Sequence, residues 1–100
     1  MSYEVQKQVL SGHTADVNCL DFSHAGTLVS GSNDKSIRIW NKNADGLFVE
    51  NKDVPPVSPF TGHRYGVNCV RFSPFGTIIA SGSTDGSLIF WSAKVSHLLT

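Results

Sequence analysis

The chain has 100 residues, which is room for one small domain. Basic and acidic residues balance at 8 each, so the formal net charge is zero and bulk charge favours neither nucleic acid nor an anionic membrane as a partner. Hydrophobic residues make up 40% of the chain, which is typical of a globular protein and excludes a disordered one.

The first ten residues are predicted to contain one strand, Val5 to Leu10, before the first of two related units. They have no apolar core of the kind that a signal peptide needs, and no stretch of the chain is long and apolar enough to span a bilayer. We therefore expect no membrane partner and a cytoplasmic location, with the nucleus as the alternative.

Three strands and two turns are predicted next. The strands are Val17 to Phe22, Thr27 to Ser32 and Ser36 to Trp40, and they are rich in β-branched and aromatic residues. Ser23 to Gly26 is predicted to form the first turn and Asn33 to Lys35 the second, because Gly, Asn and Asp are typical turn residues.

The stretch from residue 41 to residue 59 is more polar and carries Pro55, Pro56 and Pro59. Proline has no N–H to donate to a β-ladder, so this stretch can supply only an outer edge strand. We assign residues 51–59 as a linker with an edge strand.

The strand pattern then repeats. Val67 to Phe72, Thr77 to Ser83 and Ser87 to Trp91 are the predicted strands, a turn at Thr84-Asp85-Gly86 separates the last two, and Val95 to Leu99 is predicted to follow as a fourth strand.

The two units are copies of one repeat. Residues 11–42 align with residues 61–93 at 15 identities in 32 positions. Equivalent residues are 50 positions apart in the first part of the alignment and 51 apart in the second. The first copy is therefore one residue shorter, and the pattern places the difference in the turn near Gly26.

Three landmarks recur in both copies: a Gly-His pair, an Asp, and a Trp six residues after the Asp. They are Gly12-His13, Asp34 and Trp40 in the first copy, and Gly62-His63, Asp85 and Trp91 in the second. This pattern resembles the WD-repeat (WD40) family, although Asn41 and Ser92 stand where the family often has Asp after the Trp. The resemblance implies an all-β fold of two four-stranded antiparallel blades of a β-propeller in an incomplete ring.

The resemblance also divides the chain. Residues 1–10 would hold the outer strand of a preceding or closing blade, residues 10–50 the first repeat, residues 51–59 the linker and residues 60–100 the second repeat.

Each copy is predicted to contain one buried hydrogen-bond chain that runs from an indole N–H through a serine and a histidine to a carboxylate. Hairpin geometry favours Ser30 and Ser81 as the serines, with Ser32 and Ser83 as the alternatives. The members are His13, Ser30, Asp34 and Trp40, and His63, Ser81, Asp85 and Trp91. We interpret them as structural and not as catalytic triads, because no G-x-S-x-G elbow is present. A propeller-fold enzyme remains the least favoured alternative.

Cys19 and Cys69 occupy matching positions and are predicted to be buried free thiols. No CxxC or HxxxH motif is present, so we expect no metal site, and no motif calls for a cofactor.

The predicted function is a protein-binding scaffold, because propeller blades present loops to a protein or peptide partner. The candidate contact residues are Asp16, Asn33, Lys35, Arg64, Tyr65 and Thr84. The segment from Ser58 to Gly86 is also similar to the second blade of proteins that join a WD propeller to SAM and U-box domains. That similarity implies, as an alternative, the substrate-recognition part of a ubiquitin ligase whose catalytic domain lies outside these residues.

Two blades cannot close a ring, so two apolar sheet faces are expected to stay uncovered unless further blades or self-association cover them. The expected face residues are Val17, Leu20, Phe22, Ile37 and Ile39 in the first copy, and Val67, Val70, Phe72, Leu88 and Phe90 in the second.

Overall fold

The computed structural model describes residues 7–53 and 55–93, and this part of the chain folds into eight β-strands with no helix. In chain order the strands are β1 Val17–Phe22, β2 Leu28–Ser32, β3 Ser36–Lys42, β4 Phe48–Glu50, β5 Phe60–Thr61, β6 Val67–Phe72, β7 Ile78–Ser83 and β8 Leu88–Ser92. The six strands predicted in the two repeat cores are therefore confirmed, with ends that differ by no more than two residues.

The first sheet has the antiparallel order β1-β2-β3-β4, and β5 also pairs with β3. Strand β4 lies beside the Trp40 end of β3, whereas β5 lies beside Ser36 and Ile37. The fourth-strand position of this blade is thus filled by two short pieces. The edge strand was predicted within residues 51–59, but β4 ends just before this stretch and β5 begins just after it.

Ser58 occupies the gap between the two pieces and is buried. Its hydroxyl accepts the backbone N–H of Ile39 at 2.9 Å and donates to the Glu50 carboxylate at 2.6 Å. Glu50 also accepts two hydrogen bonds from the Arg38 guanidinium, each at 2.9 Å. The Ser58 hydroxyl therefore supplies, for the Ile39 N–H, the acceptor that the carbonyl of a regular neighbouring strand would supply.

The second sheet has the order β6-β7-β8 in the described residues. The fourth strand predicted at Val95 to Leu99 lies outside the described residues. Of the strand predicted at Val5 to Leu10, residues 5 and 6 also lie outside them, and residues 7–10 do not form a strand. Instead, the Gln8 amide donates to the Phe48 carbonyl at 2.8 Å and accepts the Phe48 N–H at 3.0 Å.

The one-residue difference between the copies lies in the first turn, as predicted. Ser23 N donates to Thr27 O, whereas the equivalent Ser73 N donates to Ile78 O, one residue further along. Both turns place a glycine at positive φ, 90° for Gly26 and 72° for Gly76, a conformation that glycine adopts without steric cost.

The two sheets pack face to face, with the core between them. The first sheet contributes Val29, Ile37 and Ile39, and the second contributes Val67, Val70 and Ile79, all of them buried. Ile37 and Ile39 are two residues apart, which is the period of a half-buried strand, whereas Val67 and Val70 are three apart because of a β-bulge at the start of β6.

The prediction of the uncovered faces was wrong for half of its residues. The first outer face carries Val17, Leu20 and Phe22, each 52–60% exposed, whereas Ile37 and Ile39 are buried between the sheets. The second outer face carries Cys69, Leu88 and Phe90, and Leu88 and Phe90 are each 71% exposed. Val67 and Val70 are buried, and Phe72 is half-buried against the core. The reason is that the first and third strands of each blade present these side chains on opposite faces of the sheet, so that the β3 side chains of the first blade pack against the β6 side chains of the second.

The prediction that both cysteines are buried was also wrong. Cys69 is exposed on the second outer face, and Cys19 is half-buried between the sheets. Burial raises the pKa of the Cys19 thiol, and the nearby Cys69 raises it further. The two positions match in the repeat, but only the first of them faces a following blade.

Candidate functional site

A continuous hydrogen-bond chain crosses the first blade. Trp40 Nε1 donates to Ser30 Oγ at 2.9 Å, and Ser30 Oγ lies 2.7 Å from His13 Nε2. His13 Nδ1 lies 2.9 Å from Asp34 Oδ2. With the serine hydroxyl donating to Nε2, the proton on the imidazole is on Nδ1 and is donated to the carboxylate.

Asp34 is the end of this chain and also holds the turn between β2 and β3. Its carboxylate accepts the N–H of Thr14 at 3.0 Å and the N–H of Ser36 at 2.8 Å, together with the Ser36 hydroxyl. Burial alone would raise the pKa of Asp34, but the bonds from Ser36, Thr14 and His13 outweigh it and hold this pKa well below its ordinary value.

We expect the contribution of Asp34 to stability to be lost in acid. Because the pKa is lower in the folded chain, the unfolded chain binds the proton more tightly, and the stabilisation is complete only above the unfolded pKa of about 3.9. Asp34→Asn should therefore destabilise the chain near neutral pH, and its difference from wild type in urea melts should shrink as the pH falls below about 4. The exposed Asp45→Asn serves as the control, and a difference that stays constant with pH would contradict the assignment.

The second copy builds a related chain in which a serine joins the histidine to the carboxylate. Trp91 Nε1 donates to Ser81 Oγ at 2.8 Å, and Ser81 Oγ lies 2.6 Å from His63 Nε2. His63 Nδ1 then meets Ser87 Oγ at 3.3 Å, and Ser87 Oγ donates to Asp85 at 2.7 Å. The expected contact between His63 and Asp85 is thus bridged by Ser87.

The alternative serines have another role. Ser32 Oγ donates to the Ala15 carbonyl at 3.3 Å, and Ser83 Oγ donates to the Gly66 carbonyl at 2.9 Å. Both therefore fasten the loop before the first strand of a blade to the hairpin between its second and third strands. Ser30 and Ser81, the serines chosen from hairpin geometry, are the ones that accept the indole N–H.

The Ser-His-Asp geometry does not form a reactive site. Ser30 is 6% exposed and Ser81 1% exposed, so no substrate can reach either hydroxyl. Both oxygens also accept an indole N–H, which fixes them inside the blade. Within residues 7–53 and 55–93 no group of three or more His, Cys, Asp or Glu is placed to hold a metal ion. The same residues contain no helix long and apolar enough to cross a membrane.

The six candidate contact residues lie on one rim of the two blades. Asn33 N donates to Asp16 O at 2.9 Å, and Thr84 N donates to Gly66 O at 3.3 Å, so the two loops of each blade are joined in the same way. All six side chains are exposed: Asp16, Asn33, Lys35, Arg64, Tyr65 and Thr84.

The two halves of this rim touch through Gly66 and Asn18, neither of which is among the six candidate contact residues. The Gly66 Cα lies so close to Asn33 that an added Cβ would be 2.6 Å from Asn33 Oδ1. The Asn18 amide donates to Asn33 Oδ1 at 2.7 Å and to the Val67 carbonyl at 3.0 Å. Asn18 could have been singled out from the sequence, because it belongs to a Val-Asn-Cys tripeptide that occurs in both copies.

The opposite rim carries a cavity of about 340 Å³ between the blades. Phe75 lies at its mouth and is 91% exposed, whereas the equivalent turn residue of the first copy is Ala25. Pro55, Pro56 and Phe72 also line it. This cavity could not be found from the sequence, because its walls come from five separate stretches of the chain.

A Gly-His pair, a buried Trp-Ser-His chain and antiparallel strands that repeat in two packed sheets define a repeat protein of the β-propeller class. The chain belongs to the WD40 family: the family model for the WD domain, G-beta repeat, matches residues 4–41 and 55–92.

Two curated relatives and one solved structure show how far the similarity extends. "Cell division control protein 4" of Saccharomyces cerevisiae is 50% identical over 32 residues, which are 32% of this chain and 4% of that protein. "Cell division cycle protein cdt2" of Schizosaccharomyces pombe is 49% identical over 35 residues, 35% of this chain and 7% of that protein. The crystal structure of the computationally designed Ika4 protein matches with a TM-score of 0.64 and 27% identity, over 85% of this chain and 46% of that one.

Proposed function

We propose that this chain is a protein-interaction scaffold that binds a protein or peptide through the rim of Asp16, Asn33, Lys35, Arg64, Tyr65 and Thr84. The observation that carries the proposal is the contact between Gly66 and Asn33, which joins the exposed loops of two blades into one surface. WD40 repeats support a role in protein interaction, and burial keeps the Ser30 and Ser81 hydroxyls away from any substrate.

Arg64 and Tyr65 are the anchors that we expect a partner to contact most strongly. Both are exposed, and Tyr65 is 56% exposed although it is a large aromatic. Arg and Tyr are enriched among the residues that dominate binding energies. They precede Gly66, which is held against the first blade, so the loop presents them from a fixed position.

Peptide selection tests this proposal directly. We expect peptides selected on the full chain from a random display library to lose affinity at least tenfold with Arg64→Ala or Tyr65→Ala, about 1.4 kcal/mol or more. The matched controls are Phe75→Ala, an exposed aromatic on the opposite rim, and Lys52→Ala, an exposed cation away from it. If the selected peptides lose affinity with Phe75→Ala and not with Tyr65→Ala, they bind at the cavity on the opposite rim, which would contradict the proposal.

The remaining functional hypotheses have less support. The U-box alternative depends only on the similarity of the segment from Ser58 to Gly86, and the chain spans 4% and 7% of the two curated relatives whose printed names refer to cell division. A cytoplasmic location, with the nucleus as the alternative, stays part of the proposal, as does the absence of nucleic acid and membrane partners. Fluorescence microscopy of the tagged chain tests the location.

A further inference from the structure

The two outer faces of this chain are counterparts of the two faces that already pack together. On the first outer face, Val17, Leu20 and Phe22 hold the positions that Val67, Val70 and Phe72 hold in the second sheet, where they face the first. On the second outer face, Cys69, Leu88 and Phe90 hold the positions of Cys19, Ile37 and Ile39, which face the second sheet. One chain therefore carries both halves of the same kind of joint, and both are exposed.

Polar groups at the existing joint also recur. The Asn18 amide donates to the Val67 carbonyl at 3.0 Å across the two sheets. Its repeat counterpart is Asn68, which is exposed, and the counterpart of the accepting residue is Val17, on the first outer face. The bond that joins the blades within one chain thus has its donor and its acceptor available for a second copy.

We propose that the second outer face of one copy docks on the first outer face of another, so that copies of this chain join head to tail as their own two blades do. This is a heterologous contact, which forms a ring when its rotation closes. Each copy adds two blades, so a ring of about four to eight blades takes about two to four copies. The occupant of each outer face is a second copy of this chain.

One position differs between the existing joint and the proposed one. Asp21 accepts the backbone N–H of Phe72 at 2.8 Å across the two sheets. Its counterpart on the second outer face is Arg71, which has no acceptor. The joint between copies should therefore be weaker than the joint within a copy. Arg71→Asp should tighten it, on the order of tenfold, by restoring a carboxylate acceptor.

The first test is sedimentation of the full 100-residue chain at micromolar concentration. We expect one closed species whose mass is a small multiple of 10.8 kDa. Leu20→Asp disables only the first outer face, and Phe90→Asp only the second, so each variant alone should sediment as a monomer. Val57→Asp, an exposed apolar residue on neither face, is the matched control and should assemble like wild type.

Mixing the two variants distinguishes head-to-tail docking from unspecific aggregation. The Leu20→Asp chain keeps an intact second outer face and the Phe90→Asp chain an intact first one, so the mixture should form a 1:1 dimer that cannot grow. Circular dichroism of each variant alone checks that its strands remain folded.

The Cys69 thiol reports which face is covered. It lies on the second outer face, so its alkylation rate in the Leu20→Asp chain should fall at least tenfold when the Phe90→Asp chain is added, and the Phe90→Asp chain should show no such protection. Two outcomes would overturn the proposal: a wild-type chain that stays a 10.8 kDa monomer with a cooperative melt, or variants that fail to pair on mixing. The first of these would show that the faces await a further blade of a longer chain.

Discussion

Trp40→Ala is expected to lower the free energy of unfolding by ~3–5 kcal/mol, the largest loss that we predict for a single substitution. The Trp40 side chain is 4% exposed, and the indole is the first donor of the chain that ends at Asp34. Alanine would leave a cavity and would also remove the indole donor from the buried Ser30 hydroxyl. Urea melts at one fixed protein concentration measure the loss, because assembly adds to the apparent stability.

Trp91→Ala is the comparison within the same chain. The hydrogen-bond chain of Trp91 is similar, and its ring stacks on Phe60 with 5.1 Å between centroids, but the residue is only half-buried. We therefore expect a smaller loss, about 2 kcal/mol. Equal losses for the two variants would show that the hydrogen-bond chain, and not the buried area, determines the effect.

Gly31→Ala is expected to have the second-largest effect, a loss of ~1–3 kcal/mol from overpacking. Gly31 lies on β2 and faces the second sheet, and an added Cβ would be 2.6 Å from Val67 Cγ1 and 2.7 Å from Cys19 Sγ. Val67 is fully buried and has little room to move, so the sheets would have to separate. Urea melts at fixed protein concentration again measure the change.

Gly82 supplies the matched control, because it holds the same position in the second repeat. An added Cβ there would meet only Leu88 Cδ2, at an ordinary 3.4 Å. In the Phe90→Asp chain, whose second outer face stays uncovered, Gly82→Ala should therefore be neutral or slightly stabilising, since alanine loses less conformational entropy on folding than glycine. A loss as large for Gly82→Ala as for Gly31→Ala would mean that backbone conformation, and not the contact between sheets, explains both.

The strands and the hydrogen-bond chain of the first blade could be predicted because each depends on local spacing. The interval of ten residues from Ser30 to Trp40 follows from one hairpin, and the turn near Gly26 was located by the alignment alone. Properties that depend on the neighbouring sheet were harder to predict. The apolar residues of β1 and β3 lie on opposite faces of the first sheet, and nothing in either strand shows which of the two faces the second sheet covers.

The outer edge of the first blade was the least predictable part of the fold. The prolines exclude a regular strand there, and this can be predicted from the sequence. Nothing in the sequence indicates that Ser58 bonds to both Ile39 and Glu50 across the gap. Serine is common in loops, and only the three-dimensional path of the segment brings it to that place. Likewise, Ser87 bridges His63 and Asp85, whereas in the first copy His13 also bonds directly to Asp34, a difference that spacing alone could not predict.

The repeat in the sequence and the blade in space have different boundaries. The second family match begins at residue 55, yet Ser58 and Phe60 complete the sheet of the first blade. A chain cut between the two matched segments would therefore lose part of the edge of its first blade as well as all of its second. Because the first blade needs Ser58 and Phe60 from the second matched segment, the first repeat can be transplanted into another protein only together with the start of the second.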